Sequence, residues 1–160
     1  MAHSKNSNIN QRSSSRGWSK MDILIRCTVN PTEDALKVKR ALENIIGLQT
    51  FTSENHGEIT ELVLTDSKQE SLNLVRQTIH ELRIINAARK RLLSNWNNTS
   101  TQIHFDKQAA LVGKLRIIDD STDLPPLGTI EIGLIFEEES QFEEFLHWFT
   151  PPTKKGRIIN

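Results

Sequence analysis

Between residues 76 and 108 the chain gathers side chains suited to gripping a polyanion. Arg76, Arg83, Lys90, Arg91 and Lys107 can neutralise phosphates, and Asn95, Asn97, Asn98 and Gln108 can meet base edges. Trp96 can stack on an unpaired base, a contact that contributes roughly 1–3 kcal/mol. Each has a plainer reading. Cations near a helix C-terminus are favoured by the macrodipole whatever they face, and Trp96 also fits the apolar flank of the helix before it, as a core plug.

Other chemistry is poorly represented. No Gly-rich phosphate loop or nucleophile elbow occurs. The histidines His3, His56, His80, His104 and His147 share no ligand spacing such as His-x-x-x-His. The carboxylates Asp119, Asp120 and Asp123 and the run Glu137–Glu139 offer oxygens of the kind Mg²⁺ takes. A solvated turn and the acid-rich start of a helix explain them better. The reading is therefore of a protein that is not an enzyme, with no catalytic residue, no metal and no cofactor.

At 160 residues the chain suits one domain, long enough to bury about two-thirds of its unfolded surface without staples. Cys27 is the sole cysteine, so no intramolecular disulfide can form. No apolar run approaches the roughly 20 residues that span a bilayer, nor is there the apolar core of a secretory signal. The cytoplasm is the expected compartment and no membrane partner is expected. The charges balance at 20 basic and 20 acidic, but residues 1–20 hold Lys5, Arg12, Arg16 and Lys20 and no acid. Residues 21–160 are accordingly acidic by four. The first twenty, rich in Ser and Asn, read as a disordered basic tail, either a leftover of cloning or start-site assignment or an arm that touches nucleic acid. Residues 21–160 read as a single α+β domain.

From Met21 the elements that must position the polar stretch are well punctuated. "MDILIRCTVN" alternates, with Met21, Ile23, Ile25, Cys27 and Val29 on one face of a half-buried strand. Cys27 sits in that row as a structural thiol. "NPTEDALKVKRALENIIG" reads as a helix capped by Asn30 and closed by Gly47, with Ala35, Val38, Leu42 and Ile45 inward. A hairpin over 48–65 turns near Asn55–Gly57. A long helix then runs from a Ser67–Glu70 capping box to about Leu93. On a wheel of about 100° per residue, Leu72, Val75, Ile79, Leu82, Ile85, Leu92 and Leu93 fill one side. Arg76, His80, Arg83, Lys90 and Arg91 fill the other. Arg89 falls on the apolar side, so it should pair with a carboxylate or carbonyl. "TQIHF" and "AALVGKLRI" read as two strands joined near Asp106–Gln108, "TIEIGLIF" as another. A last helix runs from Ser140, paired with Glu143 as its cap, to Pro151–Pro152. The sum is an antiparallel sheet of about six strands with three helices mainly on one face.

Four segments in combination carry a resemblance. "VNPTED", "LRIINAARKRLL", "FDKQAALVGKL" and "LHWFTPPTKKGR" resemble an archaeal family of small uncharacterised proteins described as predicted RNA-binding and exosome-associated. It covers about residues 21–157. It implies a fold like that of the large-subunit ribosomal protein that cradles 5S RNA, an antiparallel sheet backed by helices. Carried onto this chain, its motif positions are Asn30, Pro31, Thr32, Glu33, Arg83, Arg89, Lys107, Gln108, Ala109 and Ala110. The chain departs in having Asn86 in place of an acid, which removes a near partner of Arg89, and in the tail before Met21. The reading is a non-catalytic RNA-binding or RNA-processing accessory protein, with Arg76, Arg83, Lys90, Arg91, Trp96, Lys107 and Gln108 as RNA-contacting residues. The alternative is a protein-interaction module with no nucleic-acid role, a homodimer among its forms, using a sheet edge or the aromatic last helix.

Overall fold

The computed structural model describes residues 21–119, 124–155 and 157–159. The expected basic tail, residues 1–20, lies outside the described residues. β1 (Met21–Val29) alternates as its sequence dictates, with Met21, Ile23, Ile25, Cys27 and Val29 buried. It pairs antiparallel on one side with β3 (Ile59–Asp66) and on the other with β5 (Thr129–Phe136). β2 (Thr52–His56) and β4 (Ser100–Asp106) complete a five-stranded antiparallel sheet of order β2-β3-β1-β5-β4. Gly57, with φ 76°, lets the β2–β3 hairpin turn where the sequence places it. Two further short strands, β6 (Thr153–Lys154) and β7 (Arg157–Ile158), form a ribbon of their own.

Helices cover one face of the sheet. α1 (Ala35–Ile46) buries Val38, Ala41, Leu42, Ile45 and Ile46. Its cap is Asp34, whose side chain accepts from the Leu36 amide, rather than Asn30. Pro31 and Thr32 instead form a turn closed by Glu33, whose carboxylate accepts from the Asn30 amide at 2.9 Å. Ala35, expected inward, is exposed at the helix start. α5 (Glu139–Phe149) contributes Phe142, Phe145 and Phe149 to the same core, and its capping box is made by Glu138 and Gln141 instead of Ser140 and Glu143. Pro151–Pro152 follow its end as expected.

Two elements differ from the sequence reading. The long helix is interrupted into a 3₁₀ turn (Gln69–Leu72), α2 (Asn73–Glu81) and α3 (Ile85–Ser94), with Arg83 at φ 61° between them. On the uninterrupted wheel the apolar side is so broad that Ile85, Ala88 and Leu92 lie at its far margin, roughly 140° away from Leu72, Val75 and Ile79. The bend rephases the chain so that all six are buried, and it expels Leu82 and Leu93, each 50% exposed. The segment "AALVGKLRI" is not a strand. Asp106 accepts from the Gln108 and Ala109 amides and starts a short helix, α4 (Lys107–Leu111), which Gly113 ends at φ 79°. Only Ile117 bridges back to Phe105 on the outer edge of β4. The sheet therefore has five strands, with more and shorter helices than expected.

Candidate nucleic-acid interface

The bend at Arg83 also scatters the predicted cationic stripe. Arg76 leans onto α5: its Nε donates to the Trp148 carbonyl at 2.8 Å and its guanidinium lies 4.9 Å from the Trp148 ring centroid. His80 bonds the next carbonyl, Phe149, at 2.9 Å. Arg89 donates through Nε to the Thr150 carbonyl at 2.9 Å, through its second terminal nitrogen to the Pro151 carbonyl, and to Asn86 Oδ1 at 3.3 Å. Its expected carbonyl pairing is thus found, and Asn86 still serves as a partner. Arg76, His80 and Arg89 together cap the carbonyls at the end of α5.

Three of the proposed RNA contacts are not free to make them. Arg76 is committed to Trp148. Trp96 is half-buried and stacks on Phe142 with centroids 4.0 Å apart and planes 11° from parallel. Its indole N–H is buried without a hydrogen-bond partner among the described residues. It is the core plug, because the helix end delivers it onto the aromatic cluster of Phe136, Phe142 and Phe145. Lys107 is only 2% exposed; its Nζ donates to Glu33 Oε1 at 2.8 Å and to the Thr28 carbonyl at 2.7 Å. That ion pair joins "VNPTED" to "FDKQAALVGKL", so three of the shared motif positions, Asn30, Glu33 and Lys107, converge as a structural lock between β1 and α4. Asn97 is also occupied, its Oδ1 accepting from the Thr99 and Ser100 amides at 3.0 and 2.8 Å.

What remains open centres on α3, which carries no acid. The core side of this helix is set by Ile85, Ala88 and Leu92. Lys90 points directly away from them, with Arg89 and Arg91 on its two flanks. Lys90 and Arg83 are exposed. Arg91 donates to the Asp119 carbonyl and borders a groove of about 360 Å³ with Asn95, Gln102, His104, Ile118 and Leu124. Asn95 is oriented there by a bond to the Gln102 carbonyl at 2.8 Å. Leu124 also borders a second groove, about 380 Å³, on the helix-free face of the sheet. There Arg26 holds Glu131 at 3.0 Å, and His104 lies 4.0 Å from the same carboxylate. Gln108 is exposed away from these, in a groove shared with Thr32, Asp34 and Lys37.

Sequence reasoning missed Gln102, His104, Arg26 and Glu131. Their signal was the outward half of the strand alternation, which register alone brings into one row: His104 opposite Glu131, and Glu131 opposite Arg26. It also missed a ligand cluster. Glu54, His56 and Glu61 come together across the β2–β3 hairpin, although no spacing along the chain announces them.

A family model described as RNA binding matches residues 22–134. The UPF0201 protein of Sulfurisphaera tokodaii is 33% identical over 134 residues, 84% of this chain and 90% of that protein. The UPF0201 protein of Methanocaldococcus jannaschii is 30% identical over 141 residues, covering 88% of this chain and 78% of that one. The crystal structure of the UPF0201 protein from Methanococcus jannaschii matches with a TM-score of 0.72 at 28% identity, over 87% of this chain and 99% of that chain. With the shared fold and relatives of this likeness over most of its length, the chain belongs to the UPF0201 family.

Proposed function

We propose that the protein is a non-catalytic RNA-binding accessory factor in RNA processing, cytoplasmic and exosome-associated in the sense the family resemblance implies. The observation that carries this is the acid-free α3. Arg83 at its start and Lys90 on its outer side are exposed to meet phosphates, and Arg91, which spends one terminal nitrogen on the Asp119 carbonyl, adds its charge at the groove mouth. The RNA-binding description of the family model that matches this region supports it. The antiparallel sheet with helices on one face supports the reading in its coarse form.

The test is a salt series on the full chain with structured and single-stranded RNA. Replacing Arg83, Lys90 and Arg91 together with Gln should flatten the slope of affinity against salt, by up to about 0.7 per lost contact on a single strand. The fold should survive, since none of the three is buried. If the triple variant binds like the parent, or the parent binds nothing at low salt, the RNA reading fails. The protein-interaction module would then take its place. It draws on β2, whose five residues are all exposed at the sheet's outer edge. The last helix supports it less, because its aromatic side chains Phe142, Phe145 and Phe149 are buried.

A further inference from the structure

The β2–β3 hairpin holds two carboxylates and an imidazole on one face. Glu54 and Glu61 are direct cross-strand partners, and His56, two residues along β2 from Glu54, projects to the same side. His56 Nε2 lies 3.6 Å from Glu54 Oε1 and 3.6 Å from Glu61 Oε1. One ligand atom from each residue falls within 4.8 Å of the other two. Like charges directly opposite on an antiparallel pair destabilise it. Among the described residues neither carboxylate has a Lys or Arg ion-pair partner. The hairpin is thus built with a local excess of negative charge around a ring nitrogen, an arrangement that a cation relieves.

We propose that Glu54, His56 and Glu61 form a binding site for a divalent transition ion of the Zn²⁺ class. Bonds of about 2.1 Å at tetrahedral angles put ligand atoms about 3.4 Å apart. Closing from 3.6 Å at the ring nitrogen, and from within 4.8 Å between the two carboxylates, is within reach of rotations of these side chains. The donor set selects the ion. Mg²⁺ and Ca²⁺ take oxygen ligands, whereas imidazole nitrogen with carboxylate oxygen suits Zn²⁺ and its neighbours. Glu54 and His56 are 52% and 57% exposed, so the ion enters from solvent and water fills the remaining position. Its mechanical effect is to clip β2, which pairs only with β3, onto the sheet. The site lies at the opposite edge from β4, and it is independent of the RNA reading.

Calorimetric titration of ZnCl₂ into the full chain, stripped with EDTA, should give saturable binding of one ion, with MgCl₂ giving none. His56→Ala and Glu61→Gln should each weaken uptake at least about tenfold with an unchanged circular dichroism spectrum. Absence of saturable Zn²⁺ binding below millimolar concentration overturns the site, as does uptake within tenfold of the parent in either variant. Modification of the parent by diethylpyrocarbonate, read by mass spectrometry at His56, gives a check that needs no variant. Saturating Zn²⁺ should protect the ring, and an unprotected ring also overturns the site.

Discussion

Replacing Lys107 with Met should destabilise the protein by about 3 kcal/mol, the low end of the roughly 3–5 kcal/mol cost of breaking a buried pair. Met keeps the apolar stem and removes the charge. What it strands is Glu33, whose side chain is only 12% exposed, and the Thr28 carbonyl. Glu33 retains hydrogen bonds from the Asn30 amide and Nδ2 at 2.9 and 3.0 Å, which is why the low end applies. Adding Glu33→Gln removes the stranded charge. The double variant should then lie only about 1–2 kcal/mol below the parent, because the two positions share one network. Urea unfolding followed by circular dichroism measures both. With a slope of about 2 kcal/mol per molar urea, the single variant's midpoint falls by about 1.5 M. A fall under about 0.5 M, or a double variant as unstable as the two single losses added, would refute the claim that Lys107 neutralises a buried carboxylate.

Two further outcomes follow from the packing. Trp96→Ala should cost about 3 kcal/mol or more by emptying the site against Phe142, with RNA affinity unchanged; weaker binding at full stability would restore the stacking role. Burial pushes the Cys27 thiol up to about 12, so native protein at neutral pH should resist thiol-specific reagents until it unfolds. Because the folded value is raised, the thiol's contribution is whole at neutral pH. It is lost as pH climbs from the ordinary thiol range towards about 12, by up to about 1.4 kcal/mol per pH unit. Cys27→Ala should remove that slope from urea midpoints measured at rising pH, and rapid labelling of the native parent would contradict the burial.

Where one face of an element is buried and the other is not, its identity was legible. β1, β5 and α5 are of this kind: each has an apolar row whose period admits one structure. The hairpin was legible through Gly57 and the neighbouring Asn55. The long helix was misjudged because nothing local marks its break, neither Pro nor Gly. Its cause is tertiary: the same core must receive Ile79 and Ile85, which an unbroken helix would point in different directions. That one error carried over into the site, since the cationic stripe existed only on the unbroken wheel. "AALVGKLRI" alternates in polarity like a strand, but Asp106 caps the turn and the Asn44 amide bonds the Ala110 and Leu111 carbonyls, which fixes it as a helix against α1. Arg89 was read correctly from its position on the wheel alone. Lys107 was not, because its partner Glu33 is 74 residues away.

The strand order has a consequence in time. β1 is central, yet one of its two neighbours is β5, so that Met21 stands opposite Phe136. β4 has no other neighbour in the sheet than β5. While the chain is being synthesised, β1, β2 and β3 can pair, but the inner edges of β1 and β4 stay open until β5 emerges. The backbone edges alongside Ile23, Ile25 and Cys27 and alongside Ile103 and Phe105 wait unpaired. Pairings of such long sequence separation close slowly and leave sticky edges in the interval. A chain halted before Thr129 is therefore no smaller version of this protein: it is a three-stranded fragment beside an orphan strand, competent for aggregation. β5, the last of the five strands to be made, is the one that turns two pieces into a sheet.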